Sequence, residues 1–194
     1  MVNLNQHLED SRRDTIITAS QAWGAVYERQ KLWREKTFRA DPFMGNEATQ
    51  WGNDHEQTAL GVLEDVLNMP VQSGNVLHVH PTLPLGASPD GFLEEANAVI
   101  EIKCPFSLKV YETIPERYYF QMQIQMLCCN KKQCLFFVWT PEEYRLSHVE
   151  YDQDFIDWYI PYAEEFIGYV RDDKEPVRWK KKPIFNISDE RKFT

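Results

Sequence analysis

Long apolar runs are missing from this chain: no stretch approaches the roughly 18 consecutive apolar residues that a membrane-spanning helix needs. The opening residues, MVNLNQHLEDSRRD, are polar and lack the apolar centre of a signal peptide. A cytoplasmic protein is expected. Cysteine is scarce and unpatterned. Cys104, Cys128, Cys129 and Cys134 form no CxxC pair and none of the spacing that closes a zinc site, so they read as free thiols in a reducing compartment. Positive charge is short as well: 21 Lys and Arg face 30 Asp and Glu, a formal net charge of −9. That balance argues against a protein that holds nucleic acid by being basic all over. It leaves open a local positive lining, or metal ions held by carboxylates, which bring positive charge to an approaching phosphate. Two basic stretches stand out, ERQKLWREKTFR (Glu28–Arg39) and VRWKKKP (Val177–Pro183). Each reads either as a solvated helix face or terminal tail, or as part of such a lining.

Repeats and low-complexity tracts are absent too, and 194 residues with 43% hydrophobic content suit one domain over residues 1–194. Its charged end, from about Asp172, is expected to be a loosely packed tail. Apolar spacing predicts a helix from Thr18 or Ser20 to about Glu35, a second over Glu47–Leu67 and a third after Pro115, stopped near Asn130. A last helix is expected over Phe155–Val170, bent or broken near Pro161. Strand-like pieces are Val76–Val79, Leu85–Ser88, Ala98–Cys104, Gln133–Thr140 and the alternating YRLSHVEY, with PDG and EEAN as turn chemistry. The order predicts an α+β class: a mixed central sheet flanked by helices.

The informative stretch is SPDGFLEEANAVIEIKCP (Ser88–Pro105). Side chains alternate along a strand, so Ile100, Ile102 and Cys104 share one face of VIEIKC while Glu101 and Lys103 share the other. Alone, that pair is an ordinary solvent-facing Glu–Lys alternation. Asp90 changes the reading, because it stands 101 − 90 = 11 residues upstream in a turn-prone SPDG. A hairpin of that length brings two carboxylates to one point. Hard oxygen ligands in an open site suit Mg²⁺ or Mn²⁺, and a lysine beside them orients or deprotonates water or stabilises charge on a phosphate. The chemistry expected is phosphodiester hydrolysis. A lysine acting as base predicts activity that rises toward alkaline pH.

Pro89–Asp90 followed by Glu101-Ile102-Lys103 resembles the PD-(D/E)xK nucleases. RRDTIITAS, WGNDHE, SPDG, EIKCPFS and FQMQIQM, in this order over roughly residues 12–140, further resemble the phage lambda exonuclease and its viral-recombinase relatives. The resemblance implies a restriction-endonuclease-like core with Asp90, Glu101, the backbone carbonyl of Ile102 and Glu56 as metal ligands and Lys103 as the catalytic lysine. It implies Arg13, Ser20, Ser88 and Gln121 as the pocket for a DNA 5′-phosphate, with Arg12 able to replace Arg13 if the match slips by one. Read by themselves, Glu56 is a polar position on an amphipathic helix, Ser20 a helix cap, Ser88 a turn residue, and Arg13 and Gln121 surface groups. Gln121 and Gln125 fall on one helix face and Gln123 on another. His55 reads as a surface histidine or an outer partner of the metal site, and His78 and His80 as structural or surface groups.

The leading expectation is a Mg²⁺-dependent exonuclease that digests one strand of linear duplex DNA from its 5′ end to mononucleotides and leaves a 3′ single strand for recombination. From the resemblance come the polarity, a ring-shaped homotrimer around DNA and a single-strand annealing protein as partner. Its rivals are a junction or flap endonuclease and a non-catalytic DNA-end or protein-binding module. The loop from Pro105 to Arg117 and the C-terminal third match no family motif.

Overall fold

The computed structural model describes residues 12–41, 44–74 and 76–187. The polar opening residues through Ser11, the end of the charged tail from Ser188, and the positions Pro42, Phe43 and Asn75 lie outside them. In chain order the elements are β1 (Ile17–Thr18), a 3-10 turn (Ala19–Gln21), α1 (Ala22–Tyr27), α2 (Arg29–Lys36) and α3 (Glu47–Leu67). Strands β2 (Gln72–Ser73), β3 (His78–Val79), β4 (Leu85–Ala87), β5 (Gly91–Leu93) and β6 (Ala98–Lys103) follow. The chain ends in α4 (Glu116–Cys129), β7 (Gln133–Trp139), β8 (Tyr144–Glu150) and α5 (Gln153–Arg171).

Five strands make the main sheet in the order β2-β5-β6-β7-β8, antiparallel except for the parallel pair β6 and β7. A parallel pair cannot be joined by a hairpin, and α4 supplies the crossover. A second small sheet runs β1-β4-β3. The main sheet is mixed and helices cover it, as an α+β class requires. Along β6 alternate side chains go to opposite sides. Ile100 and Ile102 join Ala59 and Leu63 of α3 together with Leu135 and Phe137. Val99 joins Phe136 and Val138 beneath Phe120 and Met122 of α4 and Phe155 and Tyr159 of α5. Glu101 and Lys103 therefore face the α4 side.

Local signals set most boundaries. Asn46 caps α3 by accepting from the Thr49 amide at 2.9 Å, and left-handed Asn68 and Asn130 end α3 and α4. Asp152 caps α5 through the Phe155 amide, and of the bend or break expected near Pro161 there is no break, the helix running on through it. The expected first helix is instead divided at Glu28 (φ −123°, ψ 35°), and the next residue, Arg29, turns inward. Strand β5 lies within what reads as turn chemistry, since three residues carry no period. The tail also differs from expectation over residues 172–187. Asp173 receives two bonds from Arg39 at 2.8 Å each, Glu175 pairs with Arg34 at 2.8 Å, and the Trp179 indole donates to the Val26 carbonyl at 2.7 Å. Phe185 packs on Phe155 with centroids 5.3 Å apart. Charge density suggested looseness, but interleaved aromatics hold this segment to α1, α2 and α5.

Packing between α3 and β6 gives a direct stability test. Leu63 is fully buried, whereas Val66, on the same helix, is 40% exposed. Leu63→Ala is expected to lower the unfolding free energy by about 2–5 kcal/mol, and Val66→Ala by less than about 0.5 kcal/mol, both read from urea unfolding.

Candidate active site

Glu101 is 1% exposed. A buried carboxylate is strongly unfavourable unless its oxygens are matched by donors. Here Gln121 donates from Nε2 to Oε1 at 2.6 Å, Gln125 donates from Nε2 to Oε2 at 2.5 Å, and the Lys103 ammonium pairs with Oε1. The two glutamines are one helical turn apart on α4, directly over the strand. Gln123 points elsewhere, donating to the Glu150 carbonyl and accepting from the Asp152 amide, both at 2.8 Å. The glutamine spacing therefore separates a site face from a structural face.

Asp90 reaches the same place from the turn between β4 and β5. Its amide donates to the Ile100 carbonyl at 3.1 Å, and its Oδ2 accepts from the Ile102 amide at 2.6 Å. The next residue, Gly91, lies tight against the chain entering β2, where a Cβ would meet Val71 Cγ1 at 2.5 Å. Ladder pairing of β5 with β6 stops at Gly91 and Ile100, so Ile102 lies on an open edge. The N–H and C=O of one strand residue point to the same side, which directs the Ile102 carbonyl toward the edge where Asp90 sits. Burial, and then the neighbouring Glu101 charge, push the Asp90 carboxyl well above its ordinary range, against the pull of Lys103 and the Ile102 amide.

Glu56 approaches from α3. It lines a cavity of about 480 Å³ together with Ile102, Lys103, Cys104, Phe106 and Arg117. Its charge contributes to the raised pKa of Asp90 and, after burial, to the Cys104 thiol being pushed up to about 11. Among the described residues no three His, Cys, Asp or Glu side chains form a ready metal cage. The available set is two adjoining carboxylates, an edge carbonyl and a third carboxylate across a cavity. Those oxygens fit a hard divalent cation that keeps several waters. The raised Asp90 supports the fit, since two like charges held together are relieved by a cation between them.

Lys103 is 26% exposed and lies over the Tyr118 ring at 5.3 Å. Burial works to lower its pKa, but Glu101 and Asp90 outweigh that effect and hold it above the ordinary lysine range. Tyr118 shares a hydroxyl contact with Tyr111 at 3.3 Å, and Arg117 covers the same ring at 5.2 Å. The roles of Gln125, Arg117, Tyr111, Tyr118 and Phe106 in this wall escaped the sequence reading. For Gln125 the signal was its spacing from Gln121 and for Phe106 its place in EIKCPFS; Arg117 and Tyr111 have none.

Of the four residues expected at the phosphate, Arg13 and Ser88 come together: Arg13 Nη2 donates to Ser88 Oγ at 3.0 Å. Ser88 is two residues before Asp90, so this pair adjoins the carboxylates. Ser20 is exposed with its hydroxyl 3.3 Å from that of Thr18, and the Gln121 amide is engaged by Glu101. Arg12 is exposed. Beneath the pair, buried Lys36 donates from Nζ to the carbonyls of Arg13 at 2.8 Å and Ile16 at 2.5 Å. His55 stacks on Trp51 at 3.7 Å with Nδ1 2.8 Å from the Trp51 carbonyl, away from any ligand role. His80 Nδ1 accepts from the Leu83 amide at 3.0 Å and closes a turn, and His78 packs edge-on against Phe92.

A mixed sheet covered by helices, with acids at the end of a central strand, defines the restriction-endonuclease-like class. Residues 9–132 match the model of the YqaJ-like viral recombinase domain, more than half of the chain, and the protein belongs to that family. No curated protein matches the sequence. Among solved structures it is similar to LHK-Exo, an alkaline exonuclease from Laribacter hongkongensis. In complex with dAMP that structure has a TM-score of 0.71 at 24% identity over 83% of this chain and 90% of that one. A phage-related exonuclease from Haemophilus somnus 129PT gives a TM-score of 0.66 at 13% identity, over 81% and 96% of the two chains. Viral recombinases and alkaline exonucleases are thus the company this chain keeps, and they point to a nuclease.

Two measurements follow from this wiring. Gln125→Leu leaves one oxygen of a buried carboxylate without a donor and is expected to destabilise the metal-free protein by about 1–3 kcal/mol, with part of the lost Tm recovered when Mg²⁺ is added. Lys36 is lowered to about 8, because burial outweighs Asp14 and Glu35. Between pH 8 and the ordinary lysine value of 10.5 the unfolded chain therefore binds the extra proton. The Lys36 contribution to stability must rise with pH across that window. The stability of the wild type relative to Lys36→Met is expected to grow from pH 8 to 10.5, as read from denaturant midpoints.

Proposed function

We propose that this protein is a Mg²⁺-dependent 5′-to-3′ exonuclease that degrades one strand of linear duplex DNA to mononucleotides and leaves 3′ single strands for annealing-based recombination. The observation that carries the reading is the fully buried Glu101, matched by two amides and Lys103, with Asp90 lashed beside it by the Ile102 amide. A fold shared with LHK-Exo, solved in complex with dAMP, and the family match support it.

Asp90, Glu101 and the Ile102 carbonyl would hold the ion, with Glu56 facing it across the cavity. When bound, Mg²⁺ supplies positive charge to the scissile phosphate and lowers the pKa of water. Gln121 and Gln125 fix the Glu101 carboxylate and keep it from rotating away. Asp90 is held by the backbone of the strand it serves. Lys103, held as an ammonium by Glu101 and Asp90, presents its charge to the phosphate and stabilises the negative charge that develops there. In the reaction the water oxygen bonds to phosphorus, the bond from phosphorus to the O3′ of the terminal nucleotide breaks, and that oxygen takes up a proton.

Arg13 and Ser88 support the polarity. An arginine fork paired with a hydroxyl grips phosphate oxygens well, and here the pair adjoins the carboxylates, with Ser20 exposed nearby in sequence. Each cut that releases a 5′-nucleotide leaves a new 5′-phosphate on the shortened strand. The clamp's ligand is thereby regenerated every cycle. A homotrimeric ring and an annealing-protein partner complete the proposal through the family likeness. Phosphate contacts carry no base information, so cleavage is insensitive to sequence.

Nucleotide release from linear duplex in Mg²⁺ should be lost on adding EDTA and fall roughly a hundredfold or more in Lys103→Ala. Covalently closed circular duplex should remain intact, and its cutting would instead favour the junction or flap endonuclease. Linear duplexes with 5′-phosphate ends should be digested faster than those with 5′-hydroxyl ends, and Arg13→Ala should remove that difference.

A further inference from the structure

The two basic stretches, distant in sequence, line one cavity of about 790 Å³. Arg29, Lys31, Arg34 and Arg39 come from α2 and the turn after it, Arg178 and Lys182 from the C-terminal segment, and Glu28 and Asp41 are the acids in the lining. Carboxylates in and around it steady several of these groups: Glu175 holds Arg34, Asp173 holds Arg39, Glu165 approaches Arg29 at 3.1 Å and Glu28 meets Lys31 at 3.5 Å. Among the described residues Arg178 bonds only a neutral amide, Gln30 Oε1 at 2.7 Å, and keeps its charge unopposed in that contact. Lys182 has no acidic partner among the described residues. On a chain of net charge −9, this is a local positive surface.

Arg29 indicates what the surface awaits. It is 6% exposed, yet its Nε has no hydrogen-bond partner among the described residues. Buried guanidinium N–H groups ordinarily find acceptors, and the guanidinium fork suits phosphate oxygens. Stacking on Trp179 at 4.3 Å and Tyr169 at 5.2 Å keeps it in the wall. Trp179 is itself engaged, by Arg29, by the Tyr162 ring at 5.8 Å and by the Val26 carbonyl. The lining therefore offers cations rather than a free aromatic face, which selects a phosphate over a base.

Its position ties the groove to the cleavage site in two places. Helix α2, which supplies Arg29 to Arg34, ends in Lys36, whose ammonium holds the Arg13 carbonyl. Tyr27, also in the lining, packs its ring on Phe120 of α4 with centroids 5.8 Å apart, and the next residue, Gln121, holds Glu101. We infer that the groove binds the phosphodiester backbone of DNA beyond the point of cleavage and holds it without reading bases. The choice of DNA rests on the nuclease reading above.

The test uses the double variant Lys31→Ala/Lys182→Ala in the full chain, with fluorescence anisotropy of a labelled duplex and a labelled single strand in EDTA over a KCl series. Neither lysine is buried, so the variant should melt like the wild type. The slope of log Kd against log salt should become shallower by about 1 for each lysine removed, with Lys31→Arg/Lys182→Arg restoring it. A change confined to the duplex identifies uncut DNA in the groove, and a change confined to the single strand identifies the spared strand. Unaltered slopes with both probes overturn the inference. If wild type releases nucleotides in Mg²⁺ while those slopes stay unaltered, the groove alone is wrong; if wild type releases none, it is the nuclease reading that fails.

Discussion

A carboxylate that has lost its water organises this protein. Glu101 sits in a strand buried at five of its six residues, where ionisation is tolerable only with donors on both oxygens. Those donors come from α4, the crossover between β6 and β7, and from Lys103 two residues along the same strand face. The crossover is therefore more than a connection. It brings Gln121 and Gln125 down onto the strand it leaves, and a helix displaced by a turn would strand a charge in the core.

Asp90 depends on the same strand in a different way. Its side chain and amide both bond β6 backbone, so the turn carrying it cannot move without breaking the strand's own hydrogen bonding. Burial first, and then the adjoining Glu101 charge, raise its pKa, so the ionised pair is disfavoured without a cation. Folding has tied two acids together where neither gains from the other. Stability is sacrificed locally, and the packing of Leu63, Phe137 and the α4–α5 aromatics offsets it.

Legibility in the sequence followed the range of the interactions. Helix α3 was readable to its ends because its apolar stripe and its caps are local, and β6 and β7 because alternation or a buried run marks them. The pairing of Asp90 with Glu101 was readable through a short hairpin. The partners of Glu101 on α4 were readable only as a shared face, since the contact closes over 20 and 24 residues. Arg117 and Phe106 follow no period, and their place beside Lys103 is set by the course of the loop after β6. At the C-terminal segment charge misled: Asp173, Glu175 and Arg178 are charged because they pair across to α2 and the residues after it.

That last feature bears on how an acidic chain would accommodate the DNA proposed as its substrate. Overall charge sets the long-range field, but screening confines most of its effect to about 8–10 Å at ordinary salt. Within that distance what counts is which sign each surface presents. Here the cations are gathered at Arg13 beside Ser88, at Arg117 and Lys103 on the cavity, and along α2 with the C-terminal segment. The acids around them are partly spent on fixing arginines, and so serve the positive surface they seem to oppose. If DNA is the substrate, as proposed, excess acid elsewhere would repel it from unproductive faces, and a net charge of −9 would sharpen the preference for these few basic surfaces.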